Sequence, residues 1–328
     1  MSIKARILNF FFNRIAVRQY LSITEEESAF ANNENVFKSN KESPERFEIV
    51  IKGVEQYGRL PISSFRTMRV MPSNFRYIKK SINTLDQNPE TPKRVISNED
   101  LLEFENYAKS LNISSIGYTI LPRKLIFKNK AVLHEKAIVL SMEMDKEKIE
   151  KAPSSETANM IMGTYNDLGQ ASYQLTTFLR EKGFSAQAGH PLGGLVLYPP
   201  LAELAGIGYH GRHGLIITPE HGSRVRLTAI YTNIVNLPFS EENRHKWIQH
   251  FCSKCGRCIR KCPGFAIQEE PIVHENGQLT HIINDYCFPV FLEHHACSIC
   301  IKECPFSRVG YNKLKLQFKN RTVDPEII

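Results

Sequence analysis

Cys252-Ser-Lys-Cys255-Gly-Arg-Cys258-Ile-Arg-Lys-Cys262-Pro263 is the stretch that decides how the last part of this chain folds. A second stretch, Cys287-x9-Cys297-x2-Cys300-x3-Cys304-Pro305, repeats the pattern with its first cysteine displaced upstream. Together the two stretches contain all eight cysteines of the 328-residue chain. Such clustering requires a local cause, and eight thiolate ligands suit two four-iron cubanes.

The spacing of the cysteines predicts how the thiolates divide between two clusters. In this kind of run, three thiolates wrap one cubane while the fourth reaches across to a second cubane. Cys287 departs from the regular spacing, and without it the second cluster would have only three ligands. The first predicted cluster takes Cys252, Cys255, Cys258 and Cys304, and the second takes Cys262, Cys287, Cys297 and Cys300.

Disulfides and structural zinc could also account for clustered cysteines. A chain in the reducing cytoplasm does not normally pair its cysteines. Zinc sites combine two CxxC units and do not need a CxxCxxC run that is followed by Cys-Pro. The sequence therefore favours iron–sulfur clusters, which would form a short relay for single electrons.

The chain as a whole is moderately basic. It has 42 Lys and Arg against 34 Asp and Glu, a net charge of +8, and part of the excess lies at the two ends. These charges form no dense stripe, so binding to nucleic acid, including tRNA, is the less favoured expectation. The segment between the first and last cysteine contains five basic and six acidic residues, so an electron donor need not be strongly acidic. The basic residues of the carboxyl end are Lys313, Lys315, Lys319 and Arg321.

A membrane location is not indicated by the sequence. No window approaches 18 consecutive apolar residues, and there is no twin-arginine export signal, so we expect a cytoplasmic protein without a transmembrane helix. Residues 5–21 could form a helix, but Arg14 and Arg18 would lie on the same side as Ile15. Docking of this segment on its own protein is favoured, and peripheral membrane contact stays open.

The rest of the chain predicts a mixed α+β fold. Polar loops at 24–45 and 86–93 bracket a small N-terminal unit, and a helix capped by Asn98 follows. Strands are predicted at 115–121 and 137–144, and a long helix at 156–182 ends at Gly183.

A glycine-rich region spans residues 189–222. Gly206-x-Gly208-x2-Gly211 matches the dinucleotide-binding pattern letter for letter. However, it follows a helix-like segment at 201–205 and precedes a strand-like segment at 215–217, which is the reverse of the order that a dinucleotide fold requires. The pattern therefore does not support NAD binding.

Several segments of this region resemble the reductive dehalogenases. They are Met142-Glu-Met-Asp145, Phe178-Leu-Arg-Glu-Lys-Gly-Phe184, Pro200-Leu-Ala-Glu-Leu-Ala-Gly-Ile-Gly208, Gly211-Arg-His-Gly-Leu-Ile-Ile-Thr-Pro-Glu220 and Gly222-Ser-Arg-Val-Arg-Leu227. The resemblance keeps order and spacing over residues 137–307, about half of the chain, and the first 95 residues show none.

The resemblance implies an architecture and a set of cofactors. A nitroreductase-like α/β core would bind a base-off corrinoid (cobalamin), and a C-terminal bacterial ferredoxin-type domain with two 4Fe-4S clusters would feed electrons to cobalt. The expected division is an N-terminal variable unit at 1–95, the corrinoid-binding core at 96–240, and the ferredoxin-like domain with its basic tail at 241–328. Epoxyqueuosine reductase shares this superfamily, but its general-acid aspartate has no counterpart here, because residues 192–199 contain no carboxylate.

Tyr165 is the proton donor that the resemblance implies. The dehalogenases have a tyrosine thirteen residues before their Phe-Ile-Arg element, and Tyr165 precedes Phe178 by the same interval. A nearby cation stabilises a phenolate, and Arg224 is the first candidate for that cation, with Arg226 the second. The alternatives are an aromatic residue on a helix face and two solvated strand charges.

The corrinoid contacts are also carried over from the resemblance. Arg212 and His213 match the Gly-Arg-x-Gly element of the family, and His210 is a further candidate, although a loop histidine is more often simply hydrogen bonded. Glycines permit close approach of backbone to a cofactor. The glycines proposed for this role are Gly193, Gly194, Gly208 and Gly211.

Three hypotheses for function follow from the sequence. The leading one is a corrinoid-dependent reductase that takes electrons from a ferredoxin or flavodoxin-type donor and removes a leaving group from a small molecule. The second is an electron relay that serves a partner corrinoid protein. The third is an epoxyqueuosine-reductase-like enzyme that acts on tRNA, whose binding to phosphates would weaken steeply with salt.

Overall fold

A computed structural model of the chain describes residues 3–57 and 65–320, with side chains described at 13–57 and 67–320. Arg321, one of the basic residues of the carboxyl end, lies outside the described residues. The described α-helices are α1 Ile3–Ala31, α2 Ile49–Tyr57, α3 Phe65–Asn83, α4 Asn98–Ser110, α5 Lys146–Glu150, α6 Ser155–Glu181, α7 Tyr198–Leu204, α8 Trp247–Cys255, α9 Arg257–Arg260, α10 Asn284–Glu293, α11 Ile299–Glu303, α12 Pro305–Arg308 and α13 Tyr311–Lys319. The described strands are β1 Phe37–Lys38, β2 Ser115–Ile120, β3 Ala131–Val132, β4 Lys136–Glu143, β5 Ala186–Ala188, β6 Tyr209–His210, β7 Ile216–Ile217, β8 Val225–Thr232, β9 Ile267–Val273 and β10 Leu279–Ile282.

The core is built on a four-stranded antiparallel sheet in the order β2-β4-β8-β5. Successive side chains of a strand point to opposite faces, so a strand buried on both faces belongs to two cores. In β4, Ala137 and Val139 pack with α7, whereas Ile138 and Leu140 pack with α6. The mixed helix and sheet class predicted from the sequence is confirmed, with β2 and β4 within one residue of their predicted bounds.

Helix α6 is the longest element of the core, and its ends follow from local sequence. The Ser154 side chain accepts a hydrogen bond from the backbone N–H of Thr157 and so caps the first turn. Gly183, with φ of +92°, follows the last turn in the left-handed conformation that glycine adopts readily. The prediction of a helix at 156–182 is confirmed. For α4 the predicted cap was wrong, because Ser97 caps the helix and Asn98 is its first residue.

The N-terminal unit is more helical than its composition indicates. The predicted loop at 24–45 was wrong over its first part, since α1 continues to Ala31. The polar character of this part reflects a buried ion network in which Glu27 pairs with Arg46 and Lys130. Helix α1 packs on α2 and α3 through a cluster that includes Ala16, so this segment docks on its own protein.

The C-terminal part consists of short helices around the hairpin of β9 and β10. Its aromatic cluster, in which Trp247 packs edge to face on Tyr311 and lies 5.5 Å from Phe306 between ring centroids, also includes Ile217 of the core. The Trp247 indole N–H also donates a hydrogen bond to the Tyr311 hydroxyl. Within residues 3–57 and 65–320, no helix combines the length and the apolar character needed to cross a bilayer.

The packing of α6 on the loop after β5 can be tested by substitution of two glycines of the helix. A methyl group at Gly169 would collide with the buried imidazole of His190, whereas one at Gly163 would meet no described atom within 4 Å. We expect Gly169→Ala to lower the free energy of unfolding by about 2 kcal/mol through overpacking. Gly163→Ala, on the same helix, should raise it by roughly 0.5–1 kcal/mol, and urea unfolding measures both. Equal effects of the two substitutions would contradict this packing.

Candidate functional site

The first set of thiols gathers around one cavity. Cys252 and Cys255 lie on α8, Cys258 lies on α9, and Cys304 lies between α11 and α12. Gly256, in the left-handed conformation at φ of +54°, ends α8 and lets the chain turn so that α9 follows at once. A small cavity is lined by all four of these cysteines, together with Arg212 and His213.

The electrostatics of these thiols show the same grouping. Burial, followed by the negative charge of Cys304 and Cys255, raises the pKa of Cys258 to about 12. Burial and then Cys304 also raise the pKa of Cys252, far above the usual range of a thiol. Each thiolate would therefore be stabilised by positive charge in the cavity that the four share.

The second set comprises Cys262, Cys287, Cys297 and Cys300. Burial, followed by the charges of Cys262 and Cys297, raises the pKa of Cys287 to about 11. The pKa of Cys300 is raised by burial first and then by Cys297 and Cys287, and Cys258 of the first set adds to it. The structure thus brings Cys287 to the other three thiols in spite of its irregular spacing.

The backbone around Cys297 has an uncommon conformation. His295, Ala296, Cys297 and Ser298 all have positive φ, between 41° and 66°. Residues other than glycine adopt this conformation at a cost of order 1 kcal/mol or more each, and such runs cluster at ligand clamps. The backbone here wraps tightly where the second set of thiols converges.

All eight cysteines are free thiols, so disulfide pairing does not describe this structure. Among the described residues, no group of three or more His, Cys, Asp or Glu side chains is close enough together to hold a single metal ion. A cubane is held by thiolates that do not share one ion, so this finding is compatible with the two sets.

Polar N–H and O–H groups lie near the sulfurs of the first set and favour their charged form. The backbone N–H of Arg212 lowers the pKa of Cys252, although burial outweighs it. The Ser223 hydroxyl and the backbone N–H groups of Phe306 and Ser307 have the same effect on the pKa of Cys304, which burial raises.

Tyr165 and Arg226 contact each other directly. The guanidinium carbon of Arg226 lies 4.7 Å from the centroid of the Tyr165 ring, in a cation–π geometry. Because side chains alternate along β8, Leu227 and Ala229 face the core on the α7 side while Arg226 faces α6. Arg226 Nε is buried and has no hydrogen-bond partner among the described residues.

Arg224, the first candidate for the cation near Tyr165, has a different set of contacts. It pairs with Glu143 and donates hydrogen bonds to the carbonyl oxygens of Met144, at 3.0 Å, and Ser307, at 3.3 Å. Ser307 follows Cys304 closely in the chain, so Arg224 ties the core sheet to the first set of thiols. The structure thus places Arg226, the second candidate, against the tyrosine.

Tyr165 also lies close to the second set of thiols. It packs with Leu215 and Cys300 against an apolar cluster that includes Ile161 and Ile301. One turn before it on α6, Met162 lines a large and mostly apolar cavity of about 310 Å³. Tyr165 thus follows a residue of the cavity wall by one turn and packs on the same cluster as Cys300.

The predicted corrinoid contacts divide between two places. Gly193 and Gly194 line the large cavity, and a Cβ at Gly193, whose φ is +76°, would touch Ile78 at 3.6 Å. Gly208 and Gly211 pack against Ile217 of β7 instead. His210 hydrogen bonds with Glu203 and stacks on Tyr209, and Arg212 and His213 line the cavity of the first thiol set.

The N-terminal unit supplies cavity walls that the sequence did not identify. Tyr20, Arg46, Met71 and Phe75 line the large cavity opposite the glycines. No motif marks these residues, and only the tertiary packing of α1 and α3 on the core brings them there. Burial raises the pKa of Tyr20 far above its usual value, so its hydroxyl stays neutral.

Comparison with known proteins identifies relatives of two kinds. The chain is 30% identical over 197 residues to a tetrachloroethene reductive dehalogenase of Desulfitobacterium hafniense. This alignment covers 56% of this chain and 34% of the relative. The chain is 34% identical over 145 residues to the enzyme of the same name from Dehalobacter restrictus, covering 44% and 24%. An epoxyqueuosine reductase of Vibrio cholerae is 31% identical over 121 residues, covering 34% and 31%. No protein-family model matches the chain.

The fold is also similar to solved structures. The catabolic reductive dehalogenase NpRdhA, in complex with 3-bromo-4-hydroxybenzoic acid, superposes with a TM-score of 0.69 at 19% identity, covering 84% of this chain and 42% of that one. A structure described as suggesting a mechanism for B12-dependent dehalogenation gives a TM-score of 0.70 at 18% identity, covering 89% and 45%. The chain spans about a third or less of the length of the curated relatives given above. The predicted resemblance is confirmed: the chain is a homologue of the reductive dehalogenases and epoxyqueuosine reductases and has the fold of a reductive dehalogenase.

Proposed function

We propose that the chain is a corrinoid-dependent iron–sulfur reductase that removes a leaving group from a small molecule. Its homologues are named as reductases. The observation that carries the proposal is the position of Tyr165, which contacts Arg226 and packs on the same apolar cluster as Cys300. The proposed proton donor thus lies beside a cation, one helical turn after Met162, which lines the large cavity.

The two sets of thiols would each hold one 4Fe-4S cluster. The proposal is supported by the division of the eight thiols into the two sets that the spacing predicts. Iron ions would supply the positive charge that these buried sulfurs require as thiolates. The coupling between Cys258 and Cys300 indicates that the two sets are neighbours, as transfer of an electron between clusters requires.

A ferredoxin or flavodoxin-type protein would deliver the electrons. Although the cysteine region is nearly balanced in charge, its basic residues concentrate around the first set of thiols. Lys254, Arg257, Arg260 and Lys261 lie within eight residues there, and Arg257 alone of these pairs with an acidic residue, Glu303, in the described structure. An acidic carrier would therefore dock most favourably over the first set.

The large apolar cavity would hold the corrinoid. Its mostly apolar walls suit the faces of a macrocycle, and Gly193 and Gly194 form part of its lining, where glycine permits close approach of backbone to a cofactor. When bound, the clusters supply one-electron transfer and the corrinoid supplies a redox-active metal that reacts at the substrate carbon. Tyr20 and Arg46 on the N-terminal side, and Gly193 and Gly194 on the core side, would contact it.

Tyr165 would hold and deliver the proton. Its hydroxyl would donate to the carbon that loses the leaving group, and the Arg226 guanidinium over the ring would stabilise the phenolate left behind. Arg224 would have a structural role, because it pairs with Glu143 and donates a hydrogen bond to the carbonyl oxygen of Ser307, shortly after Cys304. Epoxyqueuosine reduction is not the preferred reaction, since the segment at 192–199 has no carboxylate.

Cofactor content is the first test of this proposal. Anaerobic reconstitution with iron, sulfide and cobalamin should give about eight irons and one cobalt per chain. Cys287→Ser should lower the iron content of the second set alone, because it removes a single ligand. Metal analysis and the optical spectrum measure both outcomes.

Three results would change this assignment. Eight irons without cobalt would favour an electron relay that serves a partner corrinoid protein. Zinc in place of iron would refute the redox role. A Cys287→Ser protein with unchanged iron content would remove that residue from the ligand set.

The proton donor is tested by a pair of tyrosine substitutions on α6. Tyr165→Phe should retain iron and cobalt and lose about 10²-fold or more in turnover of a halogenated test substrate, because the proton source is absent. Tyr173→Phe is the matched control, since its ring packs on Lys80 at the other end of the same helix. Arg226→Met should impair turnover with unchanged metal content. Full activity of Tyr165→Phe would rule out its role.

A further inference from the structure

His213 is a fully buried histidine whose protonation is fixed by its surroundings. Its Nδ1 accepts a hydrogen bond from the backbone N–H of Leu215 at 3.2 Å. A backbone N–H can only donate, so Nδ1 carries no proton and the ring proton must be on Nε2.

The Nε2–H of His213 has no hydrogen-bond partner among the residues that the structure describes. An unpaired buried donor is costly, and native proteins rarely keep one without a reason. His213 lines the cavity of the first thiol set together with all four of its cysteines. The missing acceptor is therefore expected inside that cavity.

We propose that His213 Nε2–H donates a hydrogen bond to a sulfur of the cluster held by Cys252, Cys255, Cys258 and Cys304. This inference rests on the proposed function, because it requires a cubane in the first set. A reduced cluster carries one more negative charge than an oxidised one, so a donor at its sulfur stabilises the reduced state more. His213 is thus a positioning residue that raises the reduction potential of this cluster.

A water molecule is the competing acceptor. His281 Nδ1 is also buried without a partner among the described residues, and its ring lies near His213. A water that joined these two nitrogens would satisfy both and leave the cluster untouched. Substitution of each histidine separates the two arrangements.

The experiment is a potentiometric titration of the reconstituted protein, followed by electron paramagnetic resonance. His213→Phe keeps the ring volume and removes the donor, and at a fixed solution potential the ratio of reduced to oxidised first cluster should fall about tenfold, which is about 59 mV. His281→Phe, the matched control, should leave the ratio unchanged. Pulsed measurements on the reduced wild-type cluster should detect a coupled imidazole nitrogen that His213→Phe lacks.

His213→Gln covers the case in which the phenylalanine variant does not fold. A glutamine amide can also donate to sulfur, so this variant should lose the imidazole signal while the potential stays nearer to that of the wild type. An unchanged potential in His213→Phe, or an equal shift in His281→Phe, would overturn the inference. A protein that binds no iron at the first set, as shown by iron content unaffected by Cys255→Ser, would instead refute the proposed function.

Discussion

Burial of the cysteine sulfurs is the constraint on which the rest of this structure depends. Six of the eight thiols have a pKa raised first by burial, and neighbouring sulfurs of the same set raise it further in most of them. Arg212 lies near Cys252 and Cys258, but its guanidinium is paired with Glu270. Protein charges alone therefore cannot stabilise so many thiolates, and a cationic group in each set would do so. On this assignment, metal binding contributes directly to folding of the C-terminal part.

The same constraint explains how the C-terminal part is attached to the core. The Ser223 hydroxyl hydrogen bonds with the Ser307 hydroxyl, and Arg224 donates to the carbonyl oxygen of Ser307. The turn that leads into β8 is thus bonded to the chain three residues after Cys304, a predicted cluster ligand. Ile217 of β7 packs in one cluster with Trp247 and Phe306. A shift of the sheet would therefore move the first set of thiols with it.

Local features of the sequence predicted the elements that are specified locally. The end of α6 at Gly183 and the apolar period of this helix lie within one segment, and the ligand spacing of the cysteines is likewise set by nearby residues. Long-range contacts decided what was missed. Glu27 reads as part of a polar loop, yet it is buried in a helix because Arg46 and Lys130 come from distant parts of the chain. The choice between Arg224 and Arg226 depended on where β8 begins, since the residue before the strand turns towards Glu143 while the residue within it faces α6.

Helix α6 connects the parts of the proposed site. Met162 lines the large cavity, Tyr165 follows one turn later against Arg226, and Ile161 packs with Ile301 beside Cys300. A straight helix fixes the separation of such residues, because each turn advances about 5.4 Å along its axis. Close packing of Gly169 on His190 holds the helix against the loop that leads to Gly193. One helix therefore carries the cavity residue, the tyrosine and the contact beside Cys300, so the proposed proton donor keeps its place relative to both neighbours when the N-terminal unit contributes the remaining wall.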